Sequence, residues 1–93
     1  MKPIIDATTM VVTNKVDALR LKNEQFYDDL EIATDKFLDH DWGITAEESV
    51  EANNEALESG DMILAVYETC EGNIWIITDD GHELTTILFP EEY

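Results

Sequence analysis

The sequence predicts an α+β fold: an antiparallel three- to four-stranded meander sheet packed against two helices, in the order β-α-α-β-β-β. Three observations carry this. Three apolar, β-branched runs lie near the carboxyl end and are joined by short, glycine-containing connections. One apolar stripe of helical period runs through residues 26–37. A second helical segment is bracketed by Thr45 with Glu48 and by Gly60.

Taken in order, Met10-Val11-Val12-Thr13 is a short β-branched run and reads as a strand, with Ile4–Thr13 as a whole partly loose. Asn14–Lys22 reads as a turn and an irregular approach to the first helix. Asn23 is placed to cap a helix from Glu24 to about Leu38. In it Phe26, Leu30, Ala33 and Phe37 recur at 4, 3, 4 and make the core face. Asp39-His40-Asp41-Trp42-Gly43 is a connection. Thr45 and Glu48 form a capping box, so the second helix starts at Ala46 and stops at Gly60. Its apolar side is thin: Val50 and Leu57, with some of Ala46, Ala56 and Asn53 or Asn54. The strands Met62–Thr69 and Ile74–Thr78 flank Cys70-Glu71-Gly72-Asn73, and Thr85–Phe89 follows Asp79-Asp80-Gly81-His82. Pro90 ends the last strand because it has no N–H for the ladder.

Ninety-three residues make a single domain, 1–93. The apolar fraction of 44% argues for a packed core rather than an acidic disordered tail. The charge is extreme: twenty-two acids against five bases give −17. Residues 1–22 carry four bases and two acids, whereas residues 23–93 carry twenty acids against Lys36 alone. Such a surface repels nucleic acid and anionic membrane and attracts basic protein surfaces or cations. No stretch approaches the ~20 apolar residues of a membrane helix, and the amino-terminal apolar run is too short for a secretory signal. With Cys70 as the one cysteine, no internal disulfide forms, and a reducing cytoplasm is the expected compartment.

Catalytic and metal readings are weak. His40 lies between two aspartates and His82 follows Asp79-Asp80-Gly81, so an Asp–His base is conceivable. No serine or cysteine is placed as its nucleophile, and no glycine-rich phosphate loop occurs. Asp79, Asp80, His82 and Glu83 offer oxygen and nitrogen ligands without the calcium-loop spacing, and turn chemistry explains them more simply. Neither an enzyme, a cofactor nor a metal site is expected. Glu68 and Glu71 raise the pKa of Cys70, which disfavours thiol chemistry. Trp75 reads as core. Trp42 reads as core or, beside Gly43, as a partner anchor. The FPEEY end reads as a docking tail or as Tyr93 folded back on the sheet.

The acids are patterned. Glu24, Asp28, Glu31, Asp35 and Asp39 follow 4, 3, 4, 4 spacing along the first helix. Glu47, Glu51, Glu55 and Glu58 follow 4, 4, 3 along the second, with Glu48 alongside. Like charges at these spacings cost a helix about 0.2–0.5 kcal/mol each. A surface made only for solubility mixes signs. Carboxylates four apart repeat every ~6 Å along a helix axis. That is close to the ~6–7 Å between phosphates along one winding DNA strand.

Several stretches resemble a family of small acidic proteins of bacterial plasmids and integrative elements. They are His40-Asp41-Trp42-Gly43, Asn54-Glu55-Ala56-Leu57 with Ser59-Gly60, Ile74-Trp75-Ile76-Ile77-Thr78, and Thr85-Thr86-Ile87-Leu88-Phe89-Pro90-Glu91-Glu92-Tyr93. The resemblance covers roughly residues 35–93, and the WIIT…TTxLxPEEY ending is its most specific part. Members usually have Gly-Asp-Trp-Gly where this chain has His40-Asp41-Trp42-Gly43. They often carry an Asp-Arg pair before the last strand, where this chain has Gly81-His82. The resemblance supplies no activity. It implies a mobile-element setting, in which small acidic proteins commonly blunt restriction or CRISPR nucleases. The expected function is therefore a non-enzymatic inhibitor whose two acidic rows enter the basic groove of a nucleic-acid-binding protein. It would not touch nucleic acid or membrane itself. The alternative is an interaction module working through Trp42 and the carboxyl-terminal tail.

Overall fold

The computed structural model describes residues 10–93, so the part of the loose amino-terminal run expected at residues 4–9 lies outside the described residues. The elements are β1 (Met10–Val12), α1 (Asn14–Lys22), α2 (Glu24–Leu38), α3 (Glu47–Ser59), β2 (Ile63–Thr69), β3 (Gly72–Thr78) and β4 (Thr85–Leu88). A single 3-10 turn at Pro90–Glu92 follows. The fold is α+β, as expected, with two corrections. There are three helices in this region rather than two, and the sheet is mixed. β2, β3 and β4 form the antiparallel meander, but β1 joins β4 in parallel, giving the order β1-β4-β3-β2.

α1 replaces the expected irregular segment. Thr13 starts it: its side-chain oxygen accepts from the Val16 N–H at 3.3 Å, while its own N–H continues the β1–β4 ladder to the Ile87 carbonyl at 3.2 Å. The helix is nearly as polar on one side as on the other, and of its residues Val16 alone is fully buried. α2 matches its expected bounds. Asn23 accepts from the Phe26 N–H at 3.1 Å, and Phe26, Leu30, Ala33 and Phe37 are the buried residues. Each large side chain so buried contributes about 1.5–3 kcal/mol.

One face of the sheet meets these helices. Ile63, Ala65 and Tyr67 of β2, Ile74, Ile76 and Thr78 of β3, and Thr85 and Ile87 of β4 all point into the core. Thr78 and Thr85 are directly paired across the strands and share a hydroxyl hydrogen bond of 2.8 Å, so neither buried hydroxyl is left unpaired. The register places the alternate residues on the opposite face. Val11, Thr86, Ile77 and Leu64 form one row across the four strands, and Leu88, Trp75 and Val66 form a second. Trp75 is thus half-buried on the outer face rather than in the core.

β2 is an edge strand, and side chains satisfy its outer edge. The Asn53 amide donates to the Leu64 carbonyl at 2.9 Å and accepts from the Leu64 N–H at 3.2 Å. The Val66 N–H donates to the Thr45 hydroxyl at 2.8 Å, and the Ile44 N–H donates to the Val66 carbonyl at 2.9 Å. The Cys70 N–H donates to Asp29 at 2.8 Å. Edge pairing with another chain is blocked along most of this strand. The capping box is corrected by the same contacts. Thr45 is bound to Val66 and to the Trp42 carbonyl, so α3 begins at Glu47 behind Ala46, with no side-chain cap. Its other end is as expected: Gly60 is left-handed at φ 82° and its N–H returns to the Ala56 carbonyl.

Candidate functional site

The first acidic row follows from the register of α2. With Phe26, Leu30, Ala33 and Phe37 turned inward, Glu24, Asp28, Glu31 and Asp35 are exposed, and Asp39 is exposed at the cap. On α3, Ala56 and Asn53 are buried, and Glu47, Glu48, Glu51, Glu55 and Glu58 are exposed. Among the described residues none of these ten carboxylates makes an ion pair. The two ion pairs are Lys15–Glu91 at 3.4 Å and Arg20–Asp17 at 2.7 Å. Part of each row also opposes its helix. A helix end carries about half a negative charge at its carboxyl terminus. Asp35 and Asp39 sit at that end of α2, and Glu55 and Glu58 at that end of α3, whose last turn has no basic residue.

The two rows belong to different flanks. α2 lies over the inner face of the sheet, whereas α3 runs along the edge of β2 through Asn53. The strands carry almost no acid: Glu68 is the one acidic residue in β1–β4. The charge is therefore concentrated on helices and loops.

Of the two readings of Trp42 the core one holds, and its place among the partner-binding residues is corrected. Trp42 is 4% exposed, packs edge-on against Phe37, and donates its indole N–H to Asn54 at 2.9 Å. A side chain with that little surface cannot anchor a partner. The surrounding stretch is built to seat it. His40 takes a left-handed φ of 62° and stacks on Trp42, and the Tyr67 hydroxyl donates to the Asp41 carbonyl at 2.7 Å. Burial first, and Asp41 second, push the Tyr67 phenol above its ordinary range. The carboxyl-terminal tail is tied down. Glu92 accepts from Thr13 and from the Phe89 N–H, Glu91 pairs with Lys15, and Tyr93 meets the Trp75 ring edge-on at 5.4 Å.

The histidines hold backbone rather than carboxylates. His82 lies 2.8 Å from the Asp61 carbonyl through Nε2, and His40 closes the turn after α2. Asp79 accepts from the Leu84 N–H, which is turn chemistry. Among the described residues no three His, Cys, Asp or Glu side chains are grouped to hold a metal ion. Partial desolvation, then Asp29 and Glu71, push the Cys70 thiol upward.

Two apolar residues were missed by the sequence reading. Ile32 and Ile44 are 54% and 56% exposed and face a groove of about 240 Å³ between α2 and the edge of β2, which Asp29, Lys36 and Glu68 also line. The signal for Ile32 was present, since it falls off the 26-30-33-37 stripe. The groove itself joins segments distant in sequence. No helix of the described residues is long and apolar enough to cross a membrane. The chain matches no protein-family model, no curated protein and no solved structure.

Proposed function

We propose that the protein is a non-enzymatic inhibitor carried by a mobile element, which occupies the basic groove of a nucleic-acid-binding host-defence protein such as a restriction or CRISPR nuclease. The observation that carries this is the row Glu24, Asp28, Glu31, Asp35 and Asp39. It is exposed along its whole length, unpaired among the described residues, and at Asp35 and Asp39 maintained against the dipole of its own helix. A row of carboxylates at ~6 Å intervals offers Lys and Arg side chains the spacing of a phosphate backbone. The α3 row extends the anionic surface past the edge of β2. Ile32 and Ile44 supply the apolar contact beside the charge that the sequence reading sought in Trp42.

The test is a pull-down from bacterial lysate at low salt, eluted by a salt gradient and challenged with duplex DNA. The captured target should elute with rising salt and be displaced by DNA, because exposed charges are screened beyond ~8 Å at physiological ionic strength. Reversing Asp28, Glu31 and Asp35 to lysine should abolish competition with DNA while the circular dichroism spectrum stays unchanged. Target binding that is indifferent to 0.5 M salt would rule the proposal out.

A further inference from the structure

Among the described residues, two cross-strand rows on the outer face of the sheet carry no charge, and the acidic side chain on that face is Glu68, at the next outward position of β2 opposite Asn73. The outward strand positions include Val11, Leu64, Val66, Trp75, Ile77 and Leu88, and none of the outward positions in the two cross-strand rows is ionisable. Among the described residues the helices bury the other face, and on this one the Tyr93 ring meets Trp75 beside the Pro90–Glu92 turn, which also contacts β3. Val11 is 45% exposed, Leu64, Val66, Trp75 and Ile77 are all partly open, and Leu88 is buried.

We infer that this face is the contact surface of a homodimer, two copies packing sheet against sheet. Charge selects a second copy over a basic partner. Outside Glu68 the two rows offer a cationic surface no counter-charge, whereas a copy of the chain brings an equally neutral pair of rows. The obstacle to pairing two chains of −17 is repulsion, and the fold places the α2 row behind the opposite face, with the α3 row along the edge of β2. Stacked sheets lie ~10 Å apart and each bears α2 in a layer ~10 Å thick behind it, so the two α2 rows stand roughly 30 Å apart. That is several screening lengths at physiological salt. Shape agrees. Trp75 is the bulkiest outward residue and lies diagonally from Thr86, the smallest, so each copy of a two-fold pair supplies both a projection and a recess. Four strands at ~4.8 Å spacing and five or six residues at ~3.3 Å give a footprint of about 400 Å² per copy. The pair together covers about 800 Å², below the ~1,200 Å² at which standard specific interfaces begin, so the dimer is weak and concentration-dependent.

The test is sedimentation velocity of the full chain from about 10 µM to about 1 mM, in 50 and 500 mM NaCl. The expected result is a mass rising from the 10.6 kDa monomer toward twice that value, with the association several-fold tighter at high salt. Target binding through the acidic rows has the opposite salt dependence, so the two readings fail separately. Trp75 emission should shift to the blue with concentration, while buried Trp42 contributes a constant background. Ile77→Glu should raise the dissociation constant at least tenfold, and Val11→Glu, at a more exposed position, provides the same test where Ile77→Glu lowers stability. A strictly monomeric chain at 1 mM and 500 mM NaCl overturns the inference and leaves the face to a different partner. So does association that weakens with salt or survives both variants.

Discussion

Asn53 is a buried polar side chain, 3% exposed, whose amide meets both the N–H and the carbonyl of Leu64. It takes the place of a neighbouring strand at the one position where α3 crosses the edge of β2. Asn53→Ala removes both bonds and strands two backbone groups in a dry site, which should cost about 2–4 kcal/mol. Thermal melting should fall by roughly 10 °C or more for a domain of this size. Asn53→Asp keeps the shape but sets a carboxylate against the Leu64 carbonyl, so it should be no better tolerated. Gly43 is constrained differently. Its φ is 65°, and a Cβ there would lie 2.5 Å from the Val66 carbonyl oxygen and 2.6 Å from the Tyr67 ring. Gly43→Ala should therefore cost at least about 2 kcal/mol, from the left-handed backbone and the displaced strand together, measured by urea unfolding. Neither role was readable beforehand. Asn53 looked like one of two interchangeable polar positions on a thin helix, and the Gly43 contact depends on a strand more than twenty residues away.

At the scale of elements, what the sequence made legible was whatever its local pattern determined. α2 combines a side-chain cap, a strict apolar stripe and a polar remainder, and its bounds agree with expectation. α1 has a cap but no stripe: Val16 and Leu19 meet the core while Ala18 and Leu21 face outward, so periodicity gave no signal. The parallel pairing of β1 with β4 was invisible because a short β-branched run does not name its partner. Thr45 misled because a hydroxyl that fits a capping box fits an edge strand equally well, and here it accepts from the Val66 N–H at the edge of β2. The acidic rows themselves were legible, being a matter of spacing; for Trp42 the sequence offered both core and partner anchor, and the core reading holds. The rows carry a measurable cost. Along α2 the neighbours Glu24–Asp28, Asp28–Glu31, Glu31–Asp35 and Asp35–Asp39 together oppose the helix by about 1–2 kcal/mol. Asp35→Lys relieves two of these contacts and suits the helix dipole, so it should raise stability by about 0.5–1.5 kcal/mol while weakening target capture. Stability that rises as binding falls marks residues kept for function. Asp29, one turn position away, is kept for structure. The Cys70 N–H, then Gln25, hold its carboxyl below the ordinary value of 3.8. Its contribution is complete above that value and is lost as pH falls through the lowered one. The advantage of wild type over Asp29→Ala, read by urea unfolding, should be present at pH 6 and vanish in strong acid.

For the whole molecule the decisive quantity is the imbalance of twenty-two acids against five bases on so small a body. Self-repulsion at that charge weakens the compact state, and added salt screens it. The melting temperature should therefore climb between 20 and 500 mM NaCl, by about 5–10 °C if screening recovers the 1–2 kcal/mol held in one helical row. The choice of salt distinguishes causes. Chloride and sulfate matched for ionic strength should act nearly alike if screening dominates, whereas sulfate should act more strongly if the gain comes from burying the open sheet face. Protein concentration separates the second cause further, because a dimer makes the melting temperature rise with concentration and screening within one chain does not. A melting temperature that is flat in salt at every concentration would mean that the carboxylates are too well solvated to repel one another. The acidic rows would then carry no cost, and the case that they are maintained for a partner would lose its physical basis.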